Sequence, residues 1–192
     1  LLPEADGTVW VGTEDGGARF NGIEFVPWVI GSNWEGAAVL DLRRDPQGAL
    51  WACTGRGLAR FDGRNWSIRY TPRDGLSANW SAITAAWDAS GHLWVGSGSG
   101  LFRLEGNRFV PVLSADGRAL GEVDGLLAET NGTLWVAAWG RGVFRWDAAE
   151  KALAQAVEKV RPDVQARFAA GDYAGTLKVL AQAKEPVDAF FD

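Results

Sequence analysis

Through the first three quarters of the chain, apolar residues fall in short runs broken by glycine, aspartate and asparagine, which predicts strands joined by tight turns rather than helices. Between residues 39 and 70 the runs place four strands, Val39–Arg43, Leu50–Thr54, Leu58–Phe61 and Trp66–Tyr70. The turns between them carry Asp-x-x-Gly or Asp62-Gly63, chemistry suited to left-handed and tight positions. The same pattern recurs. Gly-x-[LV]-Trp appears as Gly7-Thr8-Val9-Trp10, Gly48-Ala49-Leu50-Trp51, Gly91-His92-Leu93-Trp94 and Gly132-Thr133-Leu134-Trp135, spacing the tryptophans at 41, 43 and 41 residues. A glycine and then an arginine follow each tryptophan, as Gly16 with Arg19, Gly57 with Arg60, Gly100 with Arg103 and Gly142 with Arg145.

Four-stranded units repeated at this period predict β-propeller blades, each burying its faces against its neighbours. The expected fold is therefore mainly β: an incomplete β-propeller of about 3.5 four-stranded blades over residues 1–147, followed by a short α-helical segment over residues 148–192. Trp10, Trp51, Trp94 and Trp135 are expected to pack between blades. The first copy lacks a recognisable leading strand, and the fourth stops after Asp147, where a final strand should follow. An open arc exposes strand edges and an end face, so missing blades or a partner are expected to complete it.

After Asp147 the spacing turns helical and alanine-rich. Asp147-Ala148-Ala149-Glu150 reads as a capping box, and Leu153, Val157 and Val160 make one stripe. Pro162 is expected to open a second helix running to about Ala170, and Gly171-Asp172 to break it. A third helix, Tyr173 to Ala183, would carry Leu177 and Leu180 on its apolar face.

Composition narrows the function classes. The 47% hydrophobic content supplies a core, and the net charge of −5 is dispersed, without the basic block that nucleic acid or an anionic membrane surface needs. No apolar run has the length of a membrane span. A single cysteine, Cys53, excludes an intrachain disulfide and reads as a buried strand residue. The chain has no methionine and opens at Leu1-Leu2-Pro3 just before a repeat, so it is read as a piece of something longer.

The sole histidine, His92, stands in a turn at a variable repeat position with no orienting partner paired to it in sequence, so it reads as a surface residue. No His, Cys or Asp cluster has metal-ligand spacing, and no cofactor motif is present. Ser97-Gly98-Ser99-Gly100 and Gly55-Arg56-Gly57 lack the lysine and following helix of phosphate loops, and read as hairpins. Arg19, Arg60, Arg103 and Arg145 could ring an anionic ligand, but a position repeated in every blade is more simply a structural ion pair or an arginine stacked on tryptophan.

Binding residues are better sought where the blades differ. Asn33-Trp34 and Asn79-Trp80 lie in connections leading into the next blade, which gather around the mouth of a propeller's channel. Flat apolar rings beside amides suit a small glycan or peptide. Trp139 and Arg141, in the lengthened hairpin of the fourth copy, join this candidate set. No catalytic residue is assigned.

Two resemblances follow from these residues. Asp74-Gly75-Leu76-Ser77, the strand Ile83–Trp87, Asp88-Ala89-Ser90-Gly91-His92-Leu93-Trp94-Val95-Gly96-Ser97 and Gly100-Leu101-Phe102-Arg103 resemble the two-component regulator propeller repeat. That resemblance implies a ligand-sensing, non-enzymatic domain outside the cytoplasmic membrane, joined to further blades and a kinase module in a longer chain. Glu150-Lys151-Ala152-Leu153, Ala169-Ala170-Gly171-Asp172-Tyr173 and Pro186-Val187-Asp188-Ala189-Phe190-Phe191-Asp192 resemble the anticodon-binding end of the glycyl-tRNA synthetase beta chain. This second resemblance implies tRNA as partner, glycyl-tRNA formation as the process and a cytoplasmic setting. A fusion, or a mis-joined reading of neighbouring genes, would produce such a chain. A propeller lyase is the third alternative, and it would require a histidine with acidic groups at the channel mouth.

Overall fold

A computed structural model describes residues 1–30, 36–78, 81–114 and 117–184, with the backbone alone described for residues 148–155. The chain forms two units, Leu1–Arg145 and Trp146–Asp192. The first consists of antiparallel sheets in chain order. β1 (Leu2–Pro3), β2 (Val9–Thr13), β3 (Gly16–Phe20) and β4 (Phe25–Trp28) make one sheet. β5 (Val39–Arg44), β6 (Leu50–Thr54), β7 (Gly57–Phe61) and β8 (Trp66–Tyr70) make the second. β9 (Thr84–Trp87), β10 (Leu93–Ser97), β11 (Gly100–Glu105) and β12 (Arg108–Val112) make the third. The fourth has three strands, β13 (Val123–Ala128), β14 (Thr133–Ala138) and β15 (Gly142–Asp147). Leading strands are neighbours across sheets, β9 packing against both β5 and β13.

The first sheet corrects one expectation: a leading strand exists, with Leu2 opposite Trp10 and Pro3 opposite Val9. Two residues are too short to announce a strand in the sequence, and proline is tolerated because β1 is a sheet edge.

The geometry explains the repeat motif atom by atom. In the second sheet Asp45 closes the β5–β6 turn by accepting from the amides of Gln47 and Ala49 at 3.1 and 2.8 Å. Its other oxygen accepts from Trp51 Nε1 at 2.9 Å. Asp88 with Trp94 and Glu129 with Trp135 repeat that indole bond, each at 2.9 Å. In the second and third sheets six residues separate acid and tryptophan because one carboxylate holds both the turn and the ring, whereas in the fourth Glu129 holds the ring and Asn131 accepts the turn amide of Thr133 at 2.9 Å. Burial pushes the Asp45 carboxyl upward, but the bonds from Trp51, Ala49 and Gln47 and the Arg60 charge outweigh it and hold it below the ordinary carboxylate value. Directly across the strands stand the repeated arginines, Arg19 opposite Trp10, Arg60 opposite Trp51 and Arg103 opposite Trp94.

The first two of these tryptophans cover the sheet that follows. Trp10 meets Phe61 and Trp66 of the second sheet, at ring separations of 5.1 and 5.8 Å. Trp51 meets Trp87 of the third at 5.6 Å. Trp10, Trp51 and Trp94 are 5%, 7% and 2% exposed, whereas Trp135 is 36% exposed. Leu127, opposite Trp135, and Val143 are also exposed. The fourth sheet thus presents an uncovered apolar face where its predecessors are covered.

Close approach between sheets depends on a matched pair of positions. A Cβ on Gly12 would lie 2.5 Å from the Val39 carbonyl oxygen, and one on Gly96 would lie 2.6 Å from that of Val123. At the middle junction the equivalent positions are Cys53 and Ala82, both fully buried in one cluster. Where the second strand carries glycine the next sheet offers valine; where it carries cysteine the next sheet offers alanine. Side-chain volume is exchanged across the junction, as close-packed interiors require.

The second unit holds α1 (Ala148–Ala169) and α2 (Tyr173–Leu180), followed by a 3-10 turn at Ala181–Ala183. Two expectations are corrected. Pro162 lies inside α1 and does not start a new helix, so the described residues hold two α-helices where about three were expected. Alanine, lysine, glutamate, glutamine and arginine on both sides propagate helix strongly enough to carry the lost amide. In α2 the buried residues are Thr176 and Val179, with Ala183 beyond, whereas Leu177 and Leu180 are 68% and 46% exposed. Asp172 caps α2, accepting from Gly175 N–H at 2.9 Å. Of the expected α1 stripe, Val160 is buried and Val157 is 41% exposed, while the side chains of Leu153 and Glu150 lie outside the description.

Candidate functional site

The hairpins joining second to third strands share one construction. Thr54 Oγ1 donates to the Gly57 carbonyl at 2.9 Å and accepts from Arg56 N–H at 3.1 Å. Thr13 and Ser97 do the same in their sheets. These hairpins lie beside the connections that enter the next sheet, since Gly55 donates to the Ala38 carbonyl and accepts from Ser81 N–H. The second-sheet hairpin therefore meets the residues that enter both its own sheet and the next.

The fourth hairpin departs from the construction. Ala138 replaces the hydroxyl residue, and an extra residue enlarges the loop, which closes through Arg141 N–H to the Ala138 carbonyl at 3.1 Å. Positive φ values of 68° at Gly140 and 89° at Gly142 make the wider turn feasible. Trp139 N–H donates to the Glu122 carbonyl at 2.8 Å, and Arg141 Nη1 donates to the Ala119 carbonyl at 2.8 Å. The hairpin is thereby fastened to the connection before β13. Arg141 also lies over Phe144 at 5.8 Å, and the Trp139 ring is 74% exposed. Trp139 and Arg141 are thus brought together, while the expected partners Asn33, Trp34, Asn79 and Trp80 lie outside the described residues.

The repeated arginines engage neighbours in their own sheets. Arg19 lies over Trp10 at 5.2 Å and 3.6 Å from Asp6, Arg60 lies 3.6 Å from Asp45, and Arg103 lies over Trp94 at 5.6 Å and pairs with Glu105.

His92 requires a correction, because it has a partner: Nδ1 lies 3.0 Å from Asp88 Oδ2. Asp88 also accepts from Trp94 and from backbone amides, and the histidine stands on an exposed turn. The tight turn made this pair, and the acid four residues earlier was the signal for it.

A second polar group escaped the sequence reading. Asp41 Oδ2 accepts from Arg43 Nε at 2.6 Å and from Thr84 Oγ1 of the third sheet at 2.8 Å. Thr84 is 1% exposed, so this bond ties adjacent leading strands where water does not compete. Beside it, Cys53 is fully buried, and burial, with the Asp41 charge, raises its thiol well above the ordinary value. Among the described residues no group of three or more His, Cys, Asp or Glu side chains is placed to hold a metal, and no helix is long and apolar enough to cross a membrane.

Comparison with known proteins gives two separate likenesses. No family model matches the chain. A solved extracellular domain of a hybrid two-component system from B. thetaiotaomicron has a similar fold, with TM-score 0.64 and 20% identity, over 78% of this chain and 21% of that one. Another such domain from the same organism gives TM-score 0.58 and 17% identity, over 74% of this chain and 20% of that one. The glycine–tRNA ligase beta subunit of Methylobacillus flagellatus is 66% identical over 44 residues, 23% of this chain and 6% of that subunit's length. The chain accordingly spans a small part of each relative. By fold the sheets resemble extracellular propeller domains of two-component systems, and a separate short stretch resembles a piece of the ligase beta subunit.

Proposed function

We propose that residues 1–147 are a section of a ligand-sensing, non-catalytic β-propeller, completed by further blades and coupled to a signalling module. The observation that carries this reading is the shared fold with extracellular domains of two-component systems. It is supported by the exposed Trp139 ring on a hairpin whose backbone is tied to the Glu122 carbonyl. Trp139 and Arg141, with Asn33, Trp34, Asn79 and Trp80, are assigned to a small glycan or peptide. The test is titration of the chain with a panel of oligosaccharides and short peptides, followed by tryptophan fluorescence. The reading expects saturable quenching that Trp139→Ala weakens by about tenfold, the scale of losing one stacking platform. A panel without any saturating member, or binding unaffected by Trp139→Ala together with Trp34→Ala and Trp80→Ala, contradicts it.

The short, strong identity to the ligase beta subunit favours a second reading for the helical unit, a tRNA-binding remnant of that protein. Here the chain should bind tRNA with an affinity that falls steeply as salt rises, and truncation after Asp147 should abolish it. Sequencing the genomic DNA across codons 140 to 155 separates a natural fusion from two mis-joined genes.

A further inference from the structure

The junction between neighbouring sheets has two halves. One is the second-strand tryptophan that leaves its own sheet, as Trp10 does to meet Phe61 and Trp66. The other is the face that receives it. In the second sheet Leu50, Ala52, Ala59, Phe61 and Trp66 build that face and cluster with Trp10. In the third, Leu93, Val95, Phe102, Leu104 and Phe109 build it and cluster with Trp51. These residues are buried, apart from the half-buried Phe61 and Leu104.

The first sheet carries a receiving face that stands uncovered. By register it consists of Val9, Val11, Ala18, Phe20 and Phe25, with Phe20 opposite Phe25 as Phe61 is opposite Trp66. Phe25 is 61% exposed, where its counterparts Trp66 and Phe109 are 9% and 2% exposed. Val9, Val11 and Ala18 are half-buried, whereas Leu50, Ala52 and Ala59 are buried. Phe20 and Phe25 nevertheless already touch, at 5.0 Å, close to the 5.2 Å between Phe61 and Trp66. The fourth sheet carries the other half of a junction, also uncovered. Its Trp135 is partly exposed, and Leu127 opposite it and Val143 are exposed. Val143 is the second residue of its sheet's third strand, the place that the fully buried Leu58 and Leu101 hold in theirs.

One chain thus bears an inserting face and a receiving face of the same junction, each exposing apolar side chains that the interior junctions bury. The faces are complementary rather than alike, so they pair head to tail. Contacts of that kind close into a ring when the rotation permits. Four sheets from each of two copies make eight blades, within the four to eight that closed propellers hold.

We propose that a second copy of this chain supplies the further blades: the fourth sheet of each copy seats Trp135 on the Phe20–Phe25 pair of the other, and two copies close one ring. This rests on the propeller reading of residues 1–147 and on no part of its ligand assignment. Light scattering of the full chain at about 100 μM should give the mass of two chains, falling to that of one on dilution. Phe25→Lys and Val143→Glu each put a charge into one half of the junction at a position exposed in the single chain. Each variant alone should pair about a hundredfold or more weakly while keeping the circular dichroism of wild type. Mixed in equal amounts they should pair again, because the mixed pair keeps one junction unaltered and brings opposite charges together in the other. The Trp135 indole N–H should exchange fast in either variant alone and more slowly in the mixture. A single chain at every concentration, association that survives either substitution alone, a mixture that does not pair, or polymers longer than two overturns the proposal. The glycan and peptide titration with Trp139→Ala reads the sensor function separately, so either can fail without the other.

Discussion

The exchange of volume between Cys53 and Ala82 makes a quantitative double-mutant prediction. Ala82→Val places the valine of the outer junctions against a cysteine rather than a glycine. In those junctions the valine backbone and Cγ1 already come within 2.5 to 2.7 Å of where a Cβ would stand. Adding two methyl groups beside the fully buried Cys53 should therefore overpack the junction, costing about 1–3 kcal/mol. Cys53→Gly alone should also destabilise, by about 1–2 kcal/mol, through a lost buried side chain and a more flexible strand. The double variant recreates the Gly–Val pairing of Gly12 with Val39 and Gly96 with Val123, so its cost should fall below the sum of the single costs by about 1–2 kcal/mol. Urea unfolding followed by tryptophan fluorescence measures the cycle, and each kcal/mol corresponds to roughly 2–4 °C in Tm for a chain of this size. A neutral Ala82→Val, or costs that add within about 0.5 kcal/mol, would refute the reasoning.

Three further outcomes are expected. Asp45→Asn should cost about 1–3 kcal/mol by weakening the bonds to Trp51 and the turn, measured by urea unfolding. Because the folded Asp45 and Asp88 carboxyls lie below their ordinary value, the stability they contribute is full above about pH 4 and is lost as pH falls through their folded values. Acid titration of wild type against Asp45→Asn should thus converge at low pH. Trp94→Ala should cost about 3–5 kcal/mol and Trp135→Ala roughly half of that, since the latter ring is 36% exposed against 2% for Trp94. The Cys53 thiol, fully buried and raised well above its ordinary value, should ignore a disulfide reagent at pH 8 until urea unfolds the sheets; prompt reaction in the native state contradicts its placement.

Much of the sheet architecture was readable because a turn residue, the tryptophan and the arginine recur, and in the second and third sheets one aspartate six residues before the tryptophan bonds both turn and ring. The strands of the second sheet fall within one residue of their expected ends. What escaped depended on partners distant in sequence. Leu2–Pro3 is a strand only because Val9 and Trp10 offer it a ladder. Pro162 sits inside a helix because its neighbours propagate one, and α2 buries Thr176 and Val179 rather than Leu177. At the candidate edge, the sequence located Trp139 and Arg141 by the lengthened hairpin, but the carbonyls of Glu122 and Ala119 that fasten it carry no side-chain signal.

Hydrogen exchange of the indole N–H groups, assigned by single Trp→Phe substitutions, tests the stacked-sheet account most directly. In the single chain Trp51 and Trp94, bonded to Asp45 and Asp88 and 7% and 2% exposed, should exchange slowly, while Trp139 and the partly exposed Trp135 exchange fast. Uniformly fast exchange, or protection of Trp135 equal to that of Trp94, would contradict stacked sheets that bury the first three repeat tryptophans and leave the fourth open.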